Sequence, residues 1–113
     1  MKKVLLIISL FLSNSAIAVE HHWSNAAYCS GLYKLAGDTE SENKTLSAAT
    51  TMLQFLAEEK GESLDFETRY NLVTYHQGYA AGYFKGKYED QPDKLAMPQI
   101  EASRLGCAYF GGK

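Results

Sequence analysis

The sequence has no apolar run long enough to cross a bilayer. Its longest, Val4–Leu12, is nine residues with one polar member, Ser9, against the about 20 that a spanning helix needs. Stable membrane insertion is therefore not expected. Cysteine is nearly absent. Cys29 and Cys107 stand alone and form no CxxC, so a thiolate metal knuckle or a dithiol redox motif is excluded. Histidine is scarce: His21, His22 and His76 are the only three. No Ser–His–Asp or Cys–His constellation can be assembled from them, and neither an enzyme nor a cofactor is expected. Excess positive charge is missing too, since the formal net charge is −2. Nucleic acid and anionic membrane surfaces attract clustered Lys and Arg, so neither is expected as a partner. No segment alternates apolar and polar residues over any length, so strands are not expected.

The chain starts with the layout of an export signal. Lys2 and Lys3 precede the apolar run, and Ser13–Ala18 ends in the small–x–small triplet Ala16-Ile17-Ala18. That pattern is a secretory signal peptide over residues 1–18, of bacterial type. It leaves one domain, 19–113, in the periplasm or secreted. Without the leader the chain has 95 residues, with 9 basic and 13 acidic side chains. In an oxidising compartment an even cysteine pair reads as a disulfide. Closing Cys29 to Cys107 would tie the ends of the domain together, for about 4 kcal/mol in the loop-closure picture.

Four helices are expected. The first spans about Ser24–Ala36, capped by Ser24, with Cys29, Leu32, Tyr33 and Ala36 on one face and Gly37 as its stop. The polar stretch Asp38–Lys44 reads as a loop. The second helix spans about Leu46–Lys60, with Leu46, Ala49, Met52, Leu53, Leu56 and Ala57 facing inward and Gly61 ending it. The third spans about Asp65–Lys85, capped by Ser63 or Asp65. On it Phe66, Tyr70, Val73, Gln77, Ala80 and Phe84 fall along one line, with Leu72, His76, Tyr79 and Tyr83 beside them. So apolar a helix must lie at the centre of the domain or offer a face to a partner. After a connector with Pro92, the fourth helix starts at Pro98, a residue suited to a first helical turn, and ends near Tyr109. The result is an all-α, four-helix domain tied by one disulfide.

Three features stand out. Cleavage after Ala18 would leave Val19-Glu20-His21 at the terminus. A free amine, two amides and the imidazole make the planar nitrogen set that Cu(II) and Ni(II) favour. This resembles the amino-terminal copper- and nickel-binding motif, with His22 adjacent. Aromatic density is the second. Thirteen aromatics occupy the 95 residues, and Tyr70, Tyr75, Tyr79 and Tyr83 share the third helix. Tyr79 and Tyr83, with His76 within one turn, are the candidate docking face for another protein. The third is the small-residue spacing of Gly78 and Gly82, continued by Gly86. Interior glycines cost about 1 kcal/mol each, so a tight crossing inside the domain, against the first or fourth helix, is the expected compensation. A homodimer seam is the alternative.

Tyr28-Cys29-Ser30-Gly31-Leu32, then Gly78–Tyr83, then Leu105-Gly106-Cys107, behind a signal peptide, resembles the small exported α-helical two-cysteine proteins. These include HdeA-type acid chaperones and some type VI secretion immunity proteins. The resemblance implies that the protein works by binding other proteins, as an inhibitor or immunity protein or as a stress chaperone, and it carries over the cysteine pair alone.

Overall fold

A computed structural model describes residues 22–113, which form an all-helical domain. The expected signal peptide, 1–18, and the Val19-Glu20-His21 motif lie outside the described residues.

Helix α1 (Trp23–Ala36) is capped by His22, whose Nδ1 accepts from the Ser24 amide at 3.2 Å. Ser24, the cap expected from sequence, instead places its hydroxyl 2.8 Å from that same nitrogen. The helix ends as the sequence predicts. Gly37 takes a left-handed φ of 77°, and the Asp38 amide reaches back to the Tyr33 carbonyl at 3.0 Å. This is the wrap that satisfies the last orphan carbonyls.

Helix α2 (Thr39–Glu59) starts two turns earlier than its sequence suggests. Asp38 caps it by accepting from the Ser41 amide at 3.1 Å. Glu40 and Glu42 lie in the first turn, where the helix dipole favours acids. Glu40 also pairs with Lys44 one turn on, at 3.3 Å. The supposed loop is thus a helix start with a charged outer side. Its inner side is Ser41 and Thr45, both buried, the Thr45 hydroxyl donating to the Ser41 carbonyl at 2.8 Å.

Helix α3 (Phe66–Tyr88) is capped by Asp65, which accepts from Thr68 at 2.9 Å. Helix α4 (Met97–Arg104) carries Pro98 in its first turn. It stops well short of Tyr109, because Gly106 adopts φ 74° and turns the chain into a short 3₁₀ helix, Cys107–Phe110. That turn delivers the fully buried Cys107 to Cys29, and the two form the disulfide, with their Cα atoms 5.7 Å apart. The chain end folds back as well: the Tyr33 hydroxyl donates to the Lys113 carbonyl at 2.9 Å.

The central helix is α1, not α3. It packs against α2, α3 and α4 together. Its Ala26, Ala27, Ser30, Leu32 and Tyr33 are completely buried, and Gly31 among them is buried too. Small side chains let neighbouring helices approach from both sides. A Cβ at Gly31 would lie 2.8 Å from the Gln77 carbonyl oxygen and 2.9 Å from the Ala80 Cβ. This is the tight crossing of the domain, and the glycine that permits it is on α1. Gly78, Gly82 and Gly86 have nothing within 4 Å of a built Cβ. The expectation that they form an internal crossing is therefore wrong: they point away from the chain.

Of the line along α3 that begins at Phe66 and Tyr70, Val73, Gln77, Ala80 and Phe84 are buried, and Tyr88 extends it. The buried Gln77 amide donates to Glu42 of α2 at 2.8 Å. Phe66 and Tyr70 are exposed and stack on each other at 5.7 Å. Among the described residues no helix is long and apolar enough to cross a membrane.

Candidate functional site

Because α1 occupies the centre, α3 is covered on one side only. Its opposite side presents Leu72, Tyr75, Tyr79 and Tyr83, which are 39%, 70%, 57% and 53% exposed. Folded monomers leave single apolar residues on the surface routinely, but a contiguous group of large ones marks an interaction surface. On a wheel the exposed arc runs from Gly78 through Gly82, Tyr75, Gly86, Tyr79, Leu72 and Tyr83 to His76. It spans about 160° at 100° per residue and contains no charged side chain of the helix interior.

The edge next to α1 is a ladder of rings. Trp23 meets His76 edge-on at 4.8 Å, and Tyr75 flanks that imidazole at 5.6 Å. Tyr28 reaches across from α1 to Tyr79 at 6.5 Å and meets Phe84 edge-on at 6.1 Å. Tyr83 lies against Phe84 at 5.0 Å. Contacts of this kind hold rings in fixed orientations and add a little beyond burial. The rim is thus a set of rings in mutual contact rather than isolated side chains. Partial burial, with the Tyr79 and Tyr83 phenols nearby, raises the Tyr28 pKa above the ordinary tyrosine value. Between α1 and α3 the ladder bounds a cleft of about 560 Å³, lined by Ser24, Asn25, Tyr28, Tyr75, His76 and Tyr79. Its walls offer ring faces, hydroxyls, one amide and one imidazole, a set suited to holding an apolar or aromatic side chain of a partner with hydrogen bonds at its edge.

His76, Tyr79 and Tyr83, the docking residues expected from sequence, are therefore brought to one surface. The α1 contribution, Trp23 and Tyr28, was not foreseen, nor was Tyr75, the most exposed ring on the helix. The wheel carried a signal for Tyr75, since it falls beside the glycines. The glycines open onto empty space, and Tyr75 is exposed with them.

A second, larger groove of about 860 Å³ runs between α2 and the 3₁₀ helix, with Met52, Phe55, Leu56, Tyr109 and Phe110 on its floor and Glu58 and Glu59 at its edge. It is shallow and gathers no ring ladder or convergent polar groups. Among the described residues no cluster of His, Cys, Asp or Glu could hold a metal ion, and His22 is occupied as the α1 cap. Helix α4 and the end of α3 meet at Glu101 and Tyr88, both buried. Burial first, and the Glu101 charge second, push the Tyr88 pKa up to about 12. The phenol has no hydrogen bond of good geometry, and Glu101 pairs with the more exposed Arg104 at 3.5 Å. Tyr88 also lines a pocket of about 300 Å³ with Leu35, Leu95 and Pro98, and Glu101 lines one of about 290 Å³ beside Tyr83 and Phe84. The chain matches no protein-family model, and no curated protein or solved structure is significantly similar to it.

Proposed function

We propose that the protein is a small, non-enzymatic binding domain of the cell envelope, of inhibitor or immunity type, which docks another protein through the outer face of α3 and the α1 edge beside it. The observation that carries this reading is the uncovered row Leu72, Tyr75, Tyr79 and Tyr83, with Tyr28, His76 and Trp23 in ring contact along its edge. Tyrosine supplies large contact area with little rotamer entropy to lose, and it dominates the energetic centres of many interfaces. The reading is preferred to a stress chaperone because the aromatic surface is already presented by the folded chain. A chaperone of the acid-activated kind would have to expose such surface by loosening.

The test is capture from a periplasmic extract by the purified protein and by its Tyr79→Ala/Tyr83→Ala variant, with a photo-crosslinker at Leu72 to identify what is held. Loss of capture by the variant, at unchanged helical circular dichroism, is expected. Equal recovery by both proteins would remove this face as the docking site.

A further inference from the structure

The outer stripe of α3 asks for one particular occupant. Gly78, Gly82 and Gly86 repeat at four-residue spacing in the last half of the helix, and each opens onto empty space. No packing contact at these glycines offsets their cost to the helix, while a second helix laid along the stripe would approach its backbone closely. We propose that this face pairs with the same face of a second copy, in a symmetric antiparallel dimer seamed by α3.

Charge points to self-pairing and to its direction. Glu67 and Lys85 are exposed, and neither has an ion-pair partner among the described residues. They are 18 residues apart, which is about five whole turns, so both lie on the same flank of the stripe about 27 Å apart. In an antiparallel pair with its two-fold axis near His76, each Glu67 meets the other copy's Lys85. A parallel pair would set like charges at the same level. The same register brings each Tyr75 ring to the gap above the other copy's Gly78, and Asn71 and Leu72 to the gap at Gly82. Large residues thus meet small ones along the seam. The area is sufficient for a dissociable pair. With about 200 Å² for a whole aromatic side chain, the exposed parts of the three tyrosines come to about 360 Å². Leu72, Asn71 and the glycine backbone bring one copy to about 550 Å² and the pair to about 1,100 Å², the low end for a specific interface.

The inference rests on the docking reading of the same face: the second copy covers it at rest, and a foreign partner competes for it. Sedimentation equilibrium of the purified protein, from about 1 μM to about 1 mM at low salt, tests it. A concentration-dependent dimer is expected. Gly82→Leu, whose added Cβ meets nothing in the folded chain, is expected to be monomeric throughout with unchanged circular dichroism. Lys85→Glu is expected to weaken the dimer about fivefold or more, and Glu67→Lys/Lys85→Glu to restore it to within about twofold. A wild-type protein that stays monomeric to about 1 mM would overturn the proposal, as would a charge swap that fails to restore pairing. Monomeric protein whose partner capture still needs Tyr79 and Tyr83 would leave the docking reading standing alone. A dimer whose Tyr79→Ala/Tyr83→Ala variant captures as much as wild type would leave the dimer standing alone.

Discussion

One substitution, Gly to Ala, is expected to act with opposite sign at two positions, Gly31 in the α1–α3 crossing and Gly78 on the outer stripe of α3. At Gly78 the new methyl meets nothing. The only change is helix propensity, which favours alanine by about 1 kcal/mol. For a domain of this size 1 kcal/mol moves the melting temperature by about 4–8 °C, so Gly78→Ala should melt higher by that amount. At Gly31 the same gain is offset by a methyl set 2.8 Å from the Gln77 carbonyl oxygen, 2.9 Å from the Ala80 Cβ and 3.0 Å from the Ala81 amide nitrogen. Two of these three atoms are backbone, so α3 as a whole must move. Overpacking of this kind costs about 1–3 kcal/mol, and movement of α3 also disturbs the fully buried Ala80 and Val73. The net loss of up to about 2 kcal/mol should make Gly31→Ala melt lower than wild type, by up to about 16 °C. The assay is thermal unfolding followed by far-ultraviolet circular dichroism, with the disulfide intact and at low micromolar protein, where pairing through α3 contributes least. If Gly31→Ala melts at or above the wild type, the α1–α3 crossing is not the tight contact described. If Gly78→Ala melts lower, the glycine stripe is packed within the chain and the account of α3 fails.

Two further outcomes follow from the same structure. Reduction of Cys29–Cys107, which are 78 residues apart in sequence, should lower stability by about 4 kcal/mol, read as a shift in urea midpoint with and without reductant; an unchanged midpoint would show that the ends hold without the covalent tie. Tyr88 carries its proton more tightly in the folded chain, up to about 12, than an ordinary tyrosine near 10.0. Its contribution is therefore complete below about pH 10 and is lost as pH rises towards 12. Alkaline titration of tyrosinate absorbance should show a late-titrating class that also holds Tyr28 and Tyr33 and from which Tyr88→Phe removes one phenol, and a variant with the same titration curve would refute the assignment.

Helix number and type were legible because apolar spacing reports which side of a helix is covered. Leu32 and Tyr33 on α1, Ala49, Leu53 and Ala57 on α2, and Val73, Ala80 and Phe84 on α3 all face inward as their spacing requires. Asp38–Lys44 was misread because polarity was taken for irregularity. Asp38 as cap, Glu40 and Glu42 in the first turn and the Glu40–Lys44 pair are instead the charges that start a helix. The end of α4 was placed too late because φ 74° at Gly106 leaves no trace in apolar spacing. The glycine stripe was misplaced for a deeper reason. Interior glycines announce a close approach, but not whether the approaching helix belongs to the same chain. That was decided by α1, whose Ala26-Ala27 and Ser30-Gly31 pairs accept both neighbours and so leave α3 at the edge. The candidate docking face was therefore half legible: its α3 residues from periodicity, its α1 residues only from the crossing that brings Tyr28 and Trp23 alongside.

This arrangement links the disulfide to the uncovered face. Three exposed glycines in α3 cost about 3 kcal/mol of helix propensity, a large share of the about 5–15 kcal/mol that holds a small domain together. Large tyrosines left in water forgo a further contribution, since each would add to the core if buried. A chain with so small an interior can carry both losses only if something else holds it. The Cys29–Cys107 bond is of the same magnitude, about 4 kcal/mol, and it joins α1 to the 3₁₀ turn rather than to α3. It therefore steadies the central helix without touching the outer face. The covalent tie and the glycine-tyrosine stripe are best understood together: the first makes the second tolerable, and the second is the surface left free to bind.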